Sequence, residues 1–186
     1  MAVSIFVEGK ADKRFLEDFI AHHFSDEIFK NLKFIDVKGK DSIHLVSNEF
    51  EKNTDQNGIN LLIFDADTNY SLRKKELEEQ KAELNIEFEL FLFPNNKDNG
   101  DLEELLLNLT VEEHHGIFEC FKPFNECLKS KNSTYNVPSL KTRVYSYSDF
   151  QNQEPKENNR NYLLDCWNLD EEYATPLIEF LRKYLS

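Results

Sequence analysis

The sequence is short of the residues that mark several familiar protein classes. It has three cysteines, Cys120, Cys127 and Cys166, in 186 residues. They form no close pair and leave an odd count, so neither a disulfide framework nor a zinc knuckle is expected. No glycine-rich phosphate loop appears, and no internal repeat at solenoid periods. The first apolar run is only a strand long before charge follows, which excludes a signal peptide or a membrane span there. Basic residues are scarce as well: 22 Lys and Arg against 35 Asp and Glu give a formal charge of −13. That balance argues against a protein that coats nucleic acid, because such binding relies on many Lys and Arg contacts to phosphates. A metal-dependent nuclease survives the same test, since a cation can meet the phosphate itself. A reducing cytoplasm is the expected setting.

What the chain does have is apolar and aromatic. It is 40% hydrophobic, with sixteen Phe and seven Tyr, which describes a globular protein with an aromatic-rich core. Surplus aromatics offer a surface for a protein partner or for self-association. The length suits one well-buried core. Over residues 1–110, short apolar runs alternate with longer amphipathic ones, the pattern of βαβ units around a mostly parallel sheet. Expected strands are Ser4 to Val7, Lys33 to Val37, Asn60 to Phe64 and Glu87 to Phe93. Phe15, Leu16, Phe19, Ile20 and Phe24 recur at helical spacing; further helices are expected over Asp41 to Lys52 and Ser71 to Leu84, and one starting at Asp101. Residues 111–186 read as a mainly helical elaboration on the same core, with helices over Val111 to Lys131 and Ser139 to Phe150. Asn152 to Asn161 is polar and expected as an exposed loop, and Thr175 before Pro176 reads as the N-cap of a last helix.

Two acidic signals close two of the apolar runs. Ser4-Ile5-Phe6-Val7 leads into Glu8-Gly9-Lys10-Ala11-Asp12, and Leu61-Leu62-Ile63-Phe64 leads into Asp65-Ala66-Asp67. Carboxylates at strand ends of an open α/β sheet fall in the crevice where such sheets bind ligands. Anions gathered there repel, so a divalent cation with oxygen ligands, Mg²⁺ or Mn²⁺, is the natural partner. If the strand extends through Asp67, Asp65 and Asp67 face one space, and Glu8 reaches it as ligand or as general acid or base. Gly9 would let the backbone turn sharply into the helix. The plainer account makes these acids helix caps facing positive helix ends. Lys10, Lys13, Arg14, Lys38, Lys40, Arg73, Lys74 and Lys75 supply either a basic rim or ordinary solvated charge.

Glu8-Gly9-Lys10-Ala11-Asp12 followed by Asp65-Ala66-Asp67 resembles the Toprim superfamily. Phe93-Pro94, Gly100-Asp101-Leu102-Glu103 and Trp167-Asn168-Leu169-Asp170 resemble small stand-alone Toprim proteins and, more loosely, the OLD nuclease branch. The resemblance implies a Rossmann-like fold, Mg²⁺ held by Asp65 and Asp67, and acid or base work by Glu8. From the OLD branch it implies that Asp12 and Glu103 complete a second metal position and that Lys141 faces the scissile phosphate. The function it implies is phosphodiester hydrolysis of DNA or RNA, with a non-catalytic binding module as the alternative. The chain departs from the pattern where Thr68-Asn69-Tyr70-Ser71 replaces a glycine expected soon after the paired aspartates. Asp101 and Glu104 also have the spacing of a helix capping box, which leaves Glu103 as the ligand candidate.

Phe64-Asp65-Ala66-Asp67-Thr68 also resembles the phosphatase signature of the haloacid dehalogenase type, with Asp65 as nucleophile. Asn69 stands where that family has threonine or valine, and the motif there opens the first strand. His22-His23 and His114-His115 are expected to be structural or surface residues, because adjacent side chains on a helix point in different directions.

Overall fold

The short, unbroken apolar runs are realised as a sheet buried on both faces. In the computed structural model, residues 2–151, 156 and 159–185 are described. Four strands, β1 (Val3–Val7), β2 (Leu32–Asp36), β3 (Ile59–Asp65) and β4 (Glu89–Phe93), pair in the order β2-β1-β3-β4. All three pairings are parallel. Val3, Ile5, Val7, Leu61, Ile63, Phe91 and Phe93 enter one core cluster, whereas Phe6, Leu62, Phe64 and Leu92 enter another on the opposite face. The fold is α/β and Rossmann-like, as the patterning predicts.

Helices α1 (Lys10–His23), α2 (Asp26–Lys30), α3 (Ser47–Asp55) and α4 (Tyr70–Leu84) connect the strands. The stripe expected over Asp41 to Lys52 divides into a 3-10 turn, Lys40–Val46, and α3. After β4 come α5 (Leu102–Asn108), α6 (His115–Glu119), α7 (Phe121–Lys131), α8 (Leu140–Phe150) and α9 (Thr175–Leu185). The helix expected over Val111 to Lys131 is thus broken into a 3-10 turn at Glu112–His114, α6 and α7. Thr175 is the first helical residue, with φ −49° and ψ −43°, rather than an extended cap; the 3-10 turn Glu172–Ala174 runs straight into α9. Among the described residues no helix is long and apolar enough to cross a membrane.

The later helices thicken one face only. Phe118, Val144, Tyr147, Tyr162, Trp167, Leu177 and Leu181 join the cluster that holds Phe15, Phe19 and Ile63. The other face is covered by Phe50, Leu77 and Ile43, with the Phe6 and Phe50 rings stacked. Most of the expected Asn152 to Asn161 loop lies outside the described residues; of those described, Lys156, Asn159 and Asn161 are exposed as expected, and Arg160 is the exception. Arg160 is 2% exposed, its guanidinium 3.6 Å from the centre of the Tyr145 ring and its carbonyl 2.6 Å from Arg14 Nε. Arg14 in turn holds Asp18 at 2.6 Å, and Asp18 accepts the Tyr162 backbone N–H at 2.8 Å. A single i,i+4 ion pair on α1 thereby anchors the C-terminal segment.

One buried polar knot is not foreshadowed by patterning. The Asn60 amide nitrogen lies 2.8 Å from the Glu87 carbonyl and 3.1 Å from the Phe50 carbonyl, and its oxygen accepts from Asn53 at 2.8 Å. It ties β3 to α3 and to the approach to β4. Asn60→Leu strands these groups, and a loss of about 1–3 kcal/mol in urea-unfolding stability is expected. An unchanged midpoint would show that the knot contributes no net stability.

Candidate functional site

Strand order decides where the acids meet. The chain leaves β1 toward β2 on one side and then passes to β3 on the other, so β1 and β3 are neighbours whose connections diverge. The crevice beyond the carboxyl ends of such a strand pair is where open α/β sheets bind ligands. Val7 pairs with Ile63 in that ladder, and Glu8 and Asp65 sit at its end. The start of α1 contributes Asp12, and the start of α5 contributes Asp101 and Glu103.

Each acid is fixed by a local interaction. Asp12 is buried and accepts the Gly9 N–H at 2.8 Å, closing the first turn of α1. Gly9 itself is extended, with φ −157°, a value any residue adopts, so the turn into α1 does not depend on its being glycine. Asp65 accepts the Leu102 N–H at 3.0 Å, so it holds the N-terminus of α5. Asp101 is the N-cap of that helix and accepts from Glu104 N–H at 3.1 Å. Glu103 is 3% exposed and pairs with Lys141 Nζ at 3.0 Å.

Asp67 departs from the expected arrangement. β3 ends at Asp65, and Asp67 has φ +54°, in the left-handed region. Its carbonyl accepts the Gly100 N–H at 2.8 Å, and its exposed carboxylate pairs with Lys40 at 3.0 Å. The strand therefore does not extend through Asp67, so period 2 does not relate the two carboxylates; the position of Asp67 is set by its left-handed backbone and its bond to Gly100. Gly100 is required there: its φ is +139°, and a Cβ would lie 3.0 Å from Glu104 Cγ and 3.1 Å from Pro94 Cδ. Asn69, in the stretch that departs from the Toprim pattern, is the N-cap of α4 and accepts the Leu72 N–H at 3.0 Å.

The basic rim is also redistributed. Arg73 is 4% exposed, stacked 5.6 Å from the centre of the Phe64 ring and 3.8 Å from Glu8 Oε2. Arg14 is committed to Asp18, and Lys13 pairs with Glu17. Arg73 is thus a buried counter-charge to Glu8, a role its position among Lys74 and Lys75 does not suggest. The only sequence signal is that α4 has to present one face to Phe64.

Electrostatically the acids behave as one group. Asp12 is raised to about 7, chiefly by burial, with Glu8 and Glu103 adding to the rise and the Gly9 N–H and Lys141 opposing it. Asp65 is raised well above the carboxylate range by burial and then by Asp12, Glu8, Asp101 and Glu103. Glu8 is raised by burial, an effect opposed by Arg73 and augmented by Asp67. Tyr162, buried nearby, is raised to about 12, chiefly by burial; Arg160 opposes this, and Glu103 and Asp12 add to it. Glu8 Oε2 has no hydrogen-bond partner among the described residues.

The carboxylates do not close into a tight trio. Among the described residues, the group of three ligand atoms lying within 4.8 Å of one another is His22, His23 and Asp170. This corrects the expectation that adjacent histidines diverge. At the last turn of α1, Asp170 offers one oxygen to each ring, 3.0 Å from His22 Nε2 and 3.8 Å from His23 Nδ1. His114 and His115 are structural, bonded to the Tyr147 hydroxyl at 2.8 Å and the Thr110 carbonyl at 3.0 Å. A cleft of about 640 Å³ is lined by Asn95, Asn108, Thr110, His115 and Tyr173, among others, and by none of the acids described above.

A family described as protein of unknown function (DUF3226) matches residues 3–186, a span that includes every strand and every site residue named above. The chain belongs to the DUF3226 family. No curated protein and no solved structure matches it.

Crowding of acids sets a pH dependence whose sign is fixed. Asp12 is raised from 3.8 to about 7, so the folded chain holds a proton that the unfolded chain releases. Between those values stability falls as pH rises. In metal-free buffer the thermal midpoint is expected to drop between pH 5 and pH 7 over this window, and Asp12→Asn, which keeps an acceptor for Gly9, to flatten the drop. A midpoint that rises over the window, or an unchanged slope in the variant, would show that Asp12 does not retain its proton.

Proposed function

We propose that the chain is a Toprim-type nuclease, hydrolysing phosphodiesters of DNA or RNA with Mg²⁺ or Mn²⁺. The observation that carries this reading is the convergence of Glu8, Asp12, Asp65 and Glu103 from three separate segments at the end of β1 and β3, with Lys141 against Glu103.

The donor set fits a hard cation. Every candidate ligand offers carboxylate oxygen, Glu8 Oε2 is buried without a hydrogen bond, and burial, then the neighbouring acids, raises Asp12 and Asp65. Mg²⁺ keeps several waters and is usually held by one or two carboxylates, so acids spread wider than a closed trio suit it. Asp65, Asp67 and Glu8 would hold one ion, and Asp12 with Glu103 a second. A bound ion supplies Lewis-acid polarisation of the phosphodiester and neutralises its charge.

The chain's own groups divide the remaining work. Glu8, raised by burial against the opposing pull of Arg73, is suited to take and return a proton. Lys141 is more than half exposed while touching the buried Glu103, so its ammonium can reach a phosphate without leaving the site. Lys40 has to release Asp67 for that carboxylate to take part.

A specific observation also favours a non-catalytic module that binds nucleic acid or a protein. Lys40, Arg73 and Lys141 already pair with Asp67, Glu8 and Glu103, which partly neutralises the acids without any ion. Cleavage of single- and double-stranded DNA and RNA, with Mg²⁺, Mn²⁺ or chelator, separates the two readings. Under the nuclease reading, metal-dependent cutting disappears in Asp65→Asn, whose side-chain oxygen still accepts from Leu102. Lys141→Ala should lower the rate by roughly 10²–10³-fold with little change in thermal midpoint. Equal cutting by wild type and Asp65→Asn would end the proposal, and absence of cutting by folded wild type would favour the binding module.

A further inference from the structure

Asp170 reaches His22 and His23 from the far end of the chain, 148 residues beyond His22. Its backbone is held for the purpose by no regular element, but by Asn168. The Asn168 side chain accepts the Asp170 N–H at 3.2 Å and donates to Glu171 at 2.9 Å, while the Asn168 N–H bonds the Leu109 carbonyl at 2.7 Å. The carboxylate is thereby presented to the last turn of α1.

His23 makes the cluster more than a surface ion pair. Its Nε2 lies 3.1 Å from the Leu169 carbonyl, an acceptor only, so Nε2 carries the proton. In the neutral ring, Nδ1 then has a lone pair, aimed at Asp170 Oδ1 across 3.8 Å. Two acceptors face each other with room between them. A carbonyl on the outer ring nitrogen is the partner that metal-ligating histidines take, fixing the tautomer and the ring plane. Tetrahedral bonds of about 2.0–2.1 Å put neighbouring ligand atoms roughly 3.3 Å apart. One ligand atom from each of the three residues lies within 4.8 Å of the others, so small side-chain shifts bring them to that spacing.

We infer that His22, His23 and Asp170 form a site for a zinc-class divalent transition ion, distinct from the acidic crevice. Two imidazoles and one carboxylate select such ions over Mg²⁺. His22 and Asp170 are open to solvent, with side chains 37% and 70% exposed, which gives an entry path and space for a water as fourth ligand. His23, 9% exposed, forms the floor. Arg182 lies close enough to act on His23 electrostatically and weakens the hold on a cation, a limit on affinity that the Asp170 charge offsets. An ion there fastens α1 to the segment that leads into α9. The site is independent of the nuclease reading.

Thermal unfolding of the full chain with Zn²⁺ or with Mg²⁺ alone tests the inference. At about 100-fold excess over its dissociation constant, Zn²⁺ should raise the midpoint of wild type and of Asp65→Asn by roughly 5–10 °C. The rise should be lost in His22→Ala and in Asp170→Asn, while Mg²⁺ gives no shift that depends on those two residues. Co²⁺ added to wild type should show the visible absorption of a four-coordinate nitrogen and oxygen site, without the intense ultraviolet band of thiolate ligation. The exposed His22→Ala serves if Asp170→Asn fails to fold. No Zn²⁺ shift in folded wild type, an equal shift in His22→Ala, or a thiolate band from Cys120 or Cys127 would overturn the assignment.

Discussion

Repulsion among carboxylates in a partly buried crevice is the constraint around which the rest of this protein is arranged. Glu8, Asp12, Asp65, Asp101 and Glu103 meet because parallel strands end, and the helices after them begin, at one edge of the sheet. Left alone, such a group would push its members apart or keep protons on them. The fold answers with backbone N–H groups from Gly9 and Leu102, and with cations from three different segments, Lys40, Arg73 and Lys141. Asp12, Asp65 and Asp101 thereby tie down helix N-termini while lying in the candidate site. The two accounts of strand-end acids, as caps or as a site, turn out to be compatible, because a cap occupies one oxygen and leaves the other.

The price of this arrangement is carried by the two core clusters on either face of the sheet. Phe6 and Phe50 stack on one side of the sheet, and Phe15, Phe93, Tyr162 and Trp167 form an aromatic group on the other. The heavier cluster also recruits the C-terminal segment, so Arg160 and Tyr162 come to lie beside Asp12 and Glu103. Residues late in the chain thus shape the electrostatics of a site whose acids lie in its first 103 residues.

Strands and long helices were legible because their signals are local. The unbroken apolar runs in Ser4 to Val7 and Asn60 to Phe64 mark strands buried on both faces, and expected and observed strands agree to within a residue or two. Helix breaks were less legible. Val111 to Lys131 reads as one helix, but Pro123 sits in the first turn of α7 and Gly116 in α6, so the break at Cys120 carries a local signal that the apolar period masks. Arg73 and Arg160 read as solvated charge in polar surroundings but are buried against Phe64 and Tyr145.

By itself the sequence determined the α/β class, the parallel character of the sheet and the candidate acids, since period, strand-end position and residue type are all properties of short segments. Only the tertiary structure decided the geometry among those segments. It put Asp67 in a left-handed conformation bonded to Gly100, set Arg73 against Glu8, and drew Asp170 onto His22 and His23. Each of these depends on groups far apart in the chain meeting in a dense core, where one contact fixes the next, and no local pattern encodes that distance.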